Sequence, residues 1–490
     1  MPSFSDINFR YTDARSEKLY TPDVLLHAFV YIQSCVPEIL KPDKYIVYGS
    51  KGSGKTALAS YYELKAVSNP TKFCRVDDLD DFDFALLSAH QGDSSVTAVP
   101  RTVAAWKFLL SLRLFTLLAE DEALCQRNSS LVELKYELDR RGLLPTPNLS
   151  KLADTAFSAG GEAGFNFLLG LKAKFGSEKT YSLKSPAQIA DSLISSFKEL
   201  IVTNGNYILF VDGLDHVLRE GRENLLAVGD LINAVRIINE FLLTTHLKAK
   251  IVLLIRSELA RAIPSPDMAK RLADNGVFIE WDEHAKEPLD SNLLRVIQRR
   301  ARLEGFQGGI RRMWWQWMPY EYIYERPAAK YILARTRFLP RDVIRFFYYL
   351  QRVGEPPFKV KDILAAEQKY SEWFFDELHD SLVGLVDDRV RASLGSILTQ
   401  LGTYFMVKDL QTCLEQRGLD SFISGEELAQ LMFETHWIGN HRTNTQHQNF
   451  NIFRSRSRSV GFSSELGCVL SWGLIKGLNT NKRIDQQKKQ

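Results

Sequence analysis

Short apolar runs alternate with longer amphipathic stretches through roughly the first 280 residues of the chain. The runs are bounded by turn-forming residues and fit buried strands, while the stretches between them carry apolar residues at helical spacing. Alternation of this kind predicts a three-layer α/β core, in which a parallel sheet is covered by helices on both faces. The predicted strands are YIVYG, KFCRV, YILFVD, KIVLLIR and VFIEW.

The pattern changes outside this core and divides the chain into five parts. The first part, residues 1–43, is predicted to end in one amphipathic helix, TPDVLLHAFVYIQSCVPEIL, with Thr21 as its cap. The core, residues 44–281, carries an insertion at about 77–185 that includes the apolar helix TVAAWKFLLSLRLFTLLAEDEALC and the segment AGGEAGFNFLLGLKAKFG. A helical lid over 282–380, a winged-helix-like domain over 381–480 and a polar tail over 481–490 follow.

Composition narrows the classes of protein without identifying one. The chain has 490 residues, of which 45% are hydrophobic and 25% charged, as in ordinary folded proteins. A formal net charge of +3 is too small to indicate nucleic-acid binding by itself. Five cysteines without a CxxC pair predict neither a disulfide framework nor a zinc module, and favour the cytoplasm. No apolar run approaches the roughly 18 residues of a membrane span.

A glycine-rich loop stands between the first predicted strand and the helix after it. The loop is Gly49-Ser50-Lys51-Gly52-Ser53-Gly54-Lys55-Thr56 and matches GxxxxGK[ST]. Its glycines let successive backbone N–H groups face phosphate oxygens, aided by the positive end of the following helix. Lys55 is predicted to bridge the β- and γ-phosphates of ATP, and the Thr56 hydroxyl to bind Mg²⁺. We therefore expect this loop to bind ATP and magnesium.

A second motif, which is acidic, lies at the end of the predicted strand YILFVD. Asp212 is predicted to hold the magnesium ion, and Asp215 to orient or deprotonate the attacking water. Without the phosphate-binding loop upstream, the same residues would fit a solvated turn eased by Gly213. His216 stands where related ATPases often carry an acid, which predicts slow or regulated hydrolysis.

Two arginines are candidates for sensing the nucleotide. Arg256 ends the strand KIVLLIR, at the edge of the sheet where open α/β sheets bind ligands. It could contact the γ-phosphate or simply pair with Glu258. Arg341 follows Pro340 at the start of a predicted lid helix and could reach back over the phosphates, or pair with Asp342 at the surface.

The sequence of the carboxy-terminal region indicates a candidate contact with nucleic acid. Ser424 and Glu427 form a capping box before the helix GEELAQLMF, and the segment NFNIFRSRSRSVGF is predicted to be extended. In such a strand Arg454, Arg456 and Arg458 would project from one face and could contact phosphates. A charged, solvated edge strand is the alternative.

An acidic run after the strand KFCRV is predicted to be a solvated loop and is left out of the site. Charge runs most often mark such loops. The residues are Asp77, Asp78, Asp80, Asp81 and Asp83.

The segments GSKGSGKT, FVDGLDH, LIRSEL and LPRDVI, in this order, resemble the bacterial P-loop ATPases related to STAND, KAP and NACHT-type NTPases, an AAA-like class. The resemblance spans roughly residues 5 to 380 and includes the segments DARSE and EQKYSEWFFDEL. It implies an ATP-dependent switch, in which nucleotide state controls domain arrangement and assembly, and a setting that in some members is antiphage defence.

These observations lead to one main hypothesis and two rivals. The main hypothesis is an ATP-hydrolysing switch that self-associates or acts on a separate effector protein and has no membrane partner. The first rival is a DNA-associated ATPase loader or regulator that acts through the winged helix. The second is a phosphotransferase, for which the sequence offers no recognisable acceptor site.

Overall fold

The computed structural model of the chain describes most of the sequence, and its contacts form two units. The described residues are 3–32, 35–80, 82–84, 101–140, 148–157, 186–214, 217, 222–264, 267–281, 286–443, 449–455 and 460–480. The core unit comprises Gln33–Lys51 and Lys55–Ile279. The carboxy-terminal unit comprises Met1–Ile32, Gly52–Gly54 and Glu280–Gln490. The division into five parts remains a prediction.

The core unit is built on a sheet of five parallel strands in the order β2-β3-β4-β1-β5. The strands are β1 (Ile46–Gly49), β2 (Lys72–Asp78), β3 (Asn206–Asp212), β4 (Ala249–Arg256) and β5 (Gly276–Phe278). All five overlap the strands predicted from the sequence, and β2 extends two residues beyond its predicted end. Parallel strands bring their carboxyl ends to one edge of the sheet, so the residues that follow β1, β3 and β4 meet there.

Helices connect these strands. In the core unit they are α3 (Val36–Ile39), α4 (Lys55–Val67), α5 (Arg101–Leu118), α6 (Glu122–Arg127), α7 (Ser129–Arg140), α8 (Leu149–Phe157), α9 (Pro186–Ser196), α10 (Arg222–Leu243), α11 (Ser257–Ala262) and α12 (Met268–Asn275). The segment AGGEAGFNFLLGLKAKFG, residues 159–176, which was predicted to belong to the insertion, lies outside the described residues.

The sheet is covered on both faces, which confirms the predicted three-layer class. Side chains alternate between the faces of a strand. On β3 the buried Leu209 belongs to the hydrophobic core formed with α5, α9 and α10, whereas Phe210 meets Tyr62 of α4, with ring centroids 5.9 Å apart. The core of the unit therefore lies between the sheet and α5, α9 and α10, and α4 covers the opposite face.

Helix α5, which was predicted within the insertion, is part of this core. Trp106 is fully buried, and its indole N–H donates a 3.0 Å hydrogen bond to the carbonyl of Ala227 on α10. Arg113, five residues before the end of the helix, is also buried. The helix thus packs against the sheet as a structural layer of the unit.

The carboxy-terminal unit is mainly helical. Its helices are α1 (Ala14–Tyr20), α2 (Pro22–His27), α13 (Asn292–Leu303), α14 (Ile310–Trp317), α15 (Ala328–Arg335), α16 (Pro340–Val353), α17 (Val360–Ser381), α18 (Asp388–Leu401), α19 (Val407–Glu415) and α20 (Gly425–Glu434). In the part of the chain described by the structure, no helix is long and apolar enough to cross a membrane.

The single amphipathic helix predicted over residues 21–40 is wrong. Helix α2 ends at His27, and α3 covers only Val36–Ile39. Pro37 explains part of the difference, because a proline in the interior of a helix removes one backbone hydrogen bond and clashes with the preceding turn. In α3 the same residue lies in the first turn, where proline is tolerated.

The amino-terminal residues pack within the carboxy-terminal unit. Glu17 of α1 forms a buried ion pair with Arg300 of α13, with 2.6 Å between Oε1 and Nη2. Phe4 contacts the rings of Trp317 and Phe358, at centroid distances of 4.9 and 5.1 Å. The described part of the first 32 residues therefore packs within the helical unit.

The end of the chain combines α18, α19 and α20 with a four-stranded antiparallel sheet. Its strands are β6 (Tyr404–Phe405), β7 (Ile438–Thr443), β8 (Asn449–Ile452) and β9 (Gly467–Leu470), in the order β6-β9-β7-β8. The predicted capping box of α20 is present, with Glu427 N donating to Ser424 Oγ at 3.2 Å and Ser424 N to Glu427 Oε2 at 3.1 Å. Three helices and an antiparallel sheet fit the predicted winged helix, which stays a prediction.

Candidate nucleotide site

The glycine-rich loop has the backbone that its sequence predicts. It begins at the end of β1, and Lys55 is the first residue of α4. Gly52 and Gly54 have φ angles of +86° and +95°, in the left-handed region that glycine enters without steric cost. A loop of this kind leads the chain directly to the positive end of a helix, as phosphate-binding loops do.

The side chain of Lys55 lies within this loop. It is only 8% exposed, and its ammonium donates to the carbonyls of Gly49 and Ser50, at 2.9 and 3.2 Å. The cation is thus held at the start of the loop by oxygens of its own backbone. A buried ammonium surrounded by oxygen acceptors is suited to exchange those partners for phosphate oxygens.

Thr56 and Asp212 are brought together from α4 and β3. The Thr56 hydroxyl donates a 2.6 Å hydrogen bond to Asp212 Oδ2, and the backbone N–H of Gly213 donates to Oδ1 at 2.9 Å. Asp212 is 7% exposed. A hydroxyl and a carboxylate at the carboxyl edge of a sheet are hard oxygen donors, which is the ligand chemistry that Mg²⁺ prefers. The donor set therefore fits the predicted ion.

Arg256 lies at the same edge of the sheet. It ends β4 and stands opposite Gly49 in the register between β1 and β4. It is half-buried and immediately precedes α11. The structure therefore places this arginine beside the first residue of the loop, and its role as a sensor remains a prediction. Asp215 and His216 lie outside the described residues.

The middle of the loop, Gly52–Gly54, groups with the carboxy-terminal unit and contacts two of its residues. The indole N–H of Trp281 donates a 2.8 Å hydrogen bond to the carbonyl of Ser53. A side-chain carbon added at Gly52 would lie 3.2 Å from Cβ of Arg341. The predicted lid arginine thus packs against Gly52.

The partners of Arg341 differ from the pairing with Asp342 that was the alternative. Arg341 Nη1 donates to Glu377 Oε1 at 3.0 Å, and its Nε donates to the carbonyl of Thr12 at 3.4 Å. Asp342 is fully buried and is bound by Arg337 at 2.9 and 2.6 Å. Glu377 belongs to the segment EQKYSEWFFDEL, so part of that motif contacts the predicted sensor.

The acidic run that was predicted to be a solvated loop begins inside β2, so that prediction is wrong for Asp77 and Asp78. Asp77 is fully buried and forms a two-pronged ion pair with Arg113, with oxygen–nitrogen distances of 2.6 and 2.7 Å. Burial raises the pKa of the Asp77 carboxyl, although Arg113 acts in the opposite direction. Asp78 stands opposite Asp212 in the register between β2 and β3. The burial of Asp77 could not be predicted from the local sequence, because its partner, Arg113, lies 36 positions away.

The structure describes only one of the three arginines that were predicted to project from one face of an extended segment. Strand β8 ends at Ile452, so the extended segment predicted to run through Arg454 is wrong there. Arg454 lies in a turn, and its Nη1 donates a 3.0 Å hydrogen bond to the carbonyl of Val460. Arg456 and Arg458 lie outside the described residues. Arg454 thus has a hydrogen-bond partner within the chain, which accounts for its position without nucleic acid.

Comparison with known proteins gives two findings. A model for the FunZ-associated C-terminal helical domain matches residues 291–379, which run from the residue before α13 into α17. Among solved structures, the chain is similar to the Aeropyrum pernix ORC1 protein in complex with DNA, with 12% sequence identity and a TM-score of 0.35. That similarity covers 98% of this chain and 96% of the other chain. No curated protein sequence matches the chain.

Proposed function

We propose that this protein binds ATP with Mg²⁺ and hydrolyses it, and that the nucleotide state controls its association with itself or with a separate effector protein. The observation that carries the proposal is the meeting of a phosphate-binding loop with the hydrogen-bonded pair Thr56 and Asp212. Membership of the STAND-related class, a role in antiphage defence and a cytoplasmic location belong to the same proposal, and rest on the sequence resemblance and composition.

Each residue of the proposed site has a separate role in binding the phosphates or Mg²⁺. The N–H groups of the loop cradle the phosphates, and Lys55 exchanges the carbonyls of Gly49 and Ser50 for phosphate oxygens. Thr56 and Asp212 would hold Mg²⁺, which would neutralise charge on the β- and γ-phosphates. Arg256 would report on the γ-phosphate from the end of β4.

Arg341 is the proposed second sensor. Its present partners, Glu377 and the carbonyl of Thr12, tie it to α17 and to the amino-terminal segment. Contact with a phosphate would compete with Glu377 for the same guanidinium. A change of partner at this arginine gives the two nucleotide states different contacts, which any nucleotide-driven switch requires.

The first experiment compares the wild type with Lys55→Ala and Lys65→Ala. The two lysines lie on the same helix, but Lys65 is exposed at its far end. We expect Lys55→Ala to lose most of its affinity for a fluorescent ATP analogue and its phosphate release, because the phosphates lose their buried cation. Lys65→Ala should match the wild type. Equal affinity of all three proteins for the analogue would overturn the assignment of the site.

The same samples separate the switch from the DNA-associated rival. Light scattering measures particle mass with ATP, with ADP and with neither nucleotide, and parallel samples contain double-stranded DNA. Growth in mass with ATP alone supports the switch. Phosphate release that DNA stimulates, and that Lys55→Ala abolishes, supports the rival.

A further inference from the structure

Two neighbouring strands of the core sheet end side by side in an acidic residue. Strands β2 and β3 are parallel, and their register pairs Asp78 with Asp212. Adjacent strands lie about 4.8 Å apart. The two carboxylates therefore stand next to each other at the carboxyl edge of the sheet, where open α/β sheets bind their ligands.

The two side chains project from the same face of the sheet. Asp77 points to the face covered by α5, because it pairs with Arg113 of that helix. Alternation along the strand turns Asp78 to the opposite face. Asp212 lies on this opposite face as well, since it accepts the hydrogen bond from Thr56 of α4. Asp78 is thus on the side of the proposed magnesium ligands.

The backbone around Gly213 fixes Asp78 at this position. The N–H of Leu79 donates a 2.9 Å hydrogen bond to the carbonyl of Asp212, and the N–H of Asp80 donates to Asp78 Oδ1 at 3.0 Å. A side-chain carbon at Gly213 would collide with Asp78 Oδ1. The Asp78 carboxylate therefore lies directly against the residue that follows Asp212.

We propose that Asp78 is a catalytic residue that positions the water attacking the γ-phosphate and takes up its proton. The proposal rests on the proposed ATP hydrolysis and names its base. Gly213, the residue directly after Asp212, has no side chain that could act as a base. The carboxylate of Asp78 occupies the space beside it. The buried ion pair of Asp77 with Arg113 holds the end of β2, and with it Asp78, in place.

The step is a hydrolysis whose reactants are ATP and water. The water oxygen forms a bond to the γ-phosphorus as the bond from that phosphorus to the β,γ-bridging oxygen breaks. ADP leaves with the electron pair of the broken bond. The proton lost by the water passes to the Asp78 carboxylate and from there to solvent.

Four proteins test this assignment: the wild type, Asp78→Asn, Asp215→Asn and, as a matched control, Asp83→Asn. Asp83 belongs to the same acidic run and is exposed. We expect Asp78→Asn to bind the fluorescent ATP analogue within about threefold of the wild type. Its single-turnover hydrolysis should fall by about 100-fold or more, the usual contribution of a general base. Asp83→Asn should hydrolyse ATP at the wild-type rate.

A second variant keeps the assignment testable if the asparagine disturbs the strand end. Asp78→Ala leaves room for a small acid, so added formate should restore part of its single-turnover rate, whereas a merely structural role would not respond to formate. Full activity of Asp78→Asn overturns the proposal, as does a loss confined to Asp215→Asn. Failure of the wild type to bind or hydrolyse ATP would instead overturn the proposed function itself.

Discussion

At the scale of single residues, the buried ion pair of Asp77 and Arg113 sets the geometry at the end of β2. Both side chains are at most 1% exposed, and the two-pronged contact satisfies the carboxylate from Nε and Nη2. Removing a charge from water is costly, and the pair compensates this cost only while both partners are present. The end of β2 therefore depends on a contact from a helix far away in the sequence.

Replacing one partner of this pair should destabilise the core unit strongly. We expect Arg113→Met to lower the free energy of unfolding by about 3–5 kcal/mol, because it leaves Asp77 buried without its partner. Urea denaturation followed by circular dichroism measures the change. Arg75→Met is the control, since Arg75 and Glu120 form a more exposed pair, with side chains 31% and 41% exposed, that should contribute under about 1 kcal/mol.

A double variant separates the loss of the ion pair from a general disruption of packing. Asp77→Val combined with Arg113→Met removes both charges and leaves apolar side chains in a buried site. It should recover most of the lost stability, because well-packed apolar residues can replace a buried ion pair at little cost. A double variant as unstable as Arg113→Met would contradict this account of the pair.

At the scale of elements, the turn after β3 brings the proposed catalytic carboxylates together. Gly213 has φ of +85°, and a side-chain carbon there would come within 2.7 Å of the backbone nitrogens of Leu79 and Asp80. The position therefore needs glycine both for its backbone conformation and for the close approach of β2.

Gly213→Ala should damage nucleotide binding more than a change in conformational preference alone would. We expect at least a tenfold loss of affinity for the fluorescent ATP analogue, because the strand ends must separate and Asp212 must move. Gly305→Ala is the matched control, with φ of +90° and no atom within 4 Å of the added carbon. That variant should lose only about 1 kcal/mol of stability and keep its affinity. Equal effects of the two changes would rule out the close approach as the cause.

Within the carboxy-terminal unit, helix α17 connects elements by buried acidic residues. Glu367 is 1% exposed and accepts hydrogen bonds from Tyr331 and from Arg335, both at 2.6 Å. Lys476, near the end of the described chain, lies 3.3 Å from the same carboxylate. Ten residues further on, Glu377 binds Arg341. One helix thus connects α15, the carboxy-terminal segment and Arg341.

At the scale of the whole molecule, negative charge on the exposed face of α20 disfavours the rival hypothesis of a DNA-associated ATPase. In a winged helix the second helix of the helix-turn-helix pair enters the major groove, and α20 would hold that place. Its exposed face carries Glu426, Glu427 and Gln430, with Glu434 partly exposed beside them, and no lysine or arginine. Carboxylates facing phosphates raise the free energy of binding.

The protein should therefore bind double-stranded DNA weakly. At 150 mM salt we expect a dissociation constant of about 1 μM or higher for a 30-base-pair duplex, in the range of non-specific binding. Fluorescence anisotropy measures it, and Arg454→Ala should not change it, because Arg454 is engaged with Val460. Nanomolar binding that Arg454→Ala weakens would instead restore the DNA-associated rival.

The sequence by itself determined the strands of the core sheet, the backbone of the glycine-rich loop, and the placement of Lys55 and Thr56 at the start of α4 and of Asp212 at the end of β3. These features follow from local rules: apolar runs predict strands, and a glycine-rich motif between a strand and a helix has one well-known geometry. The capping box of α20 was predictable for the same reason, since its partners lie three residues apart.

Only the tertiary structure decided which residues that are distant in the sequence contact each other. Asp78 gains its place beside Asp212 from the register of two strands, and Asp77 is buried because Arg113 arrives on a distant helix. Neither contact produces a pattern in the neighbouring sequence. From the sequence alone, the run of aspartates is therefore predicted to be a solvated loop. Arg341 gains Glu377 as its partner in the same way, because the packing of α16 against α17 selects that residue over the neighbouring Asp342.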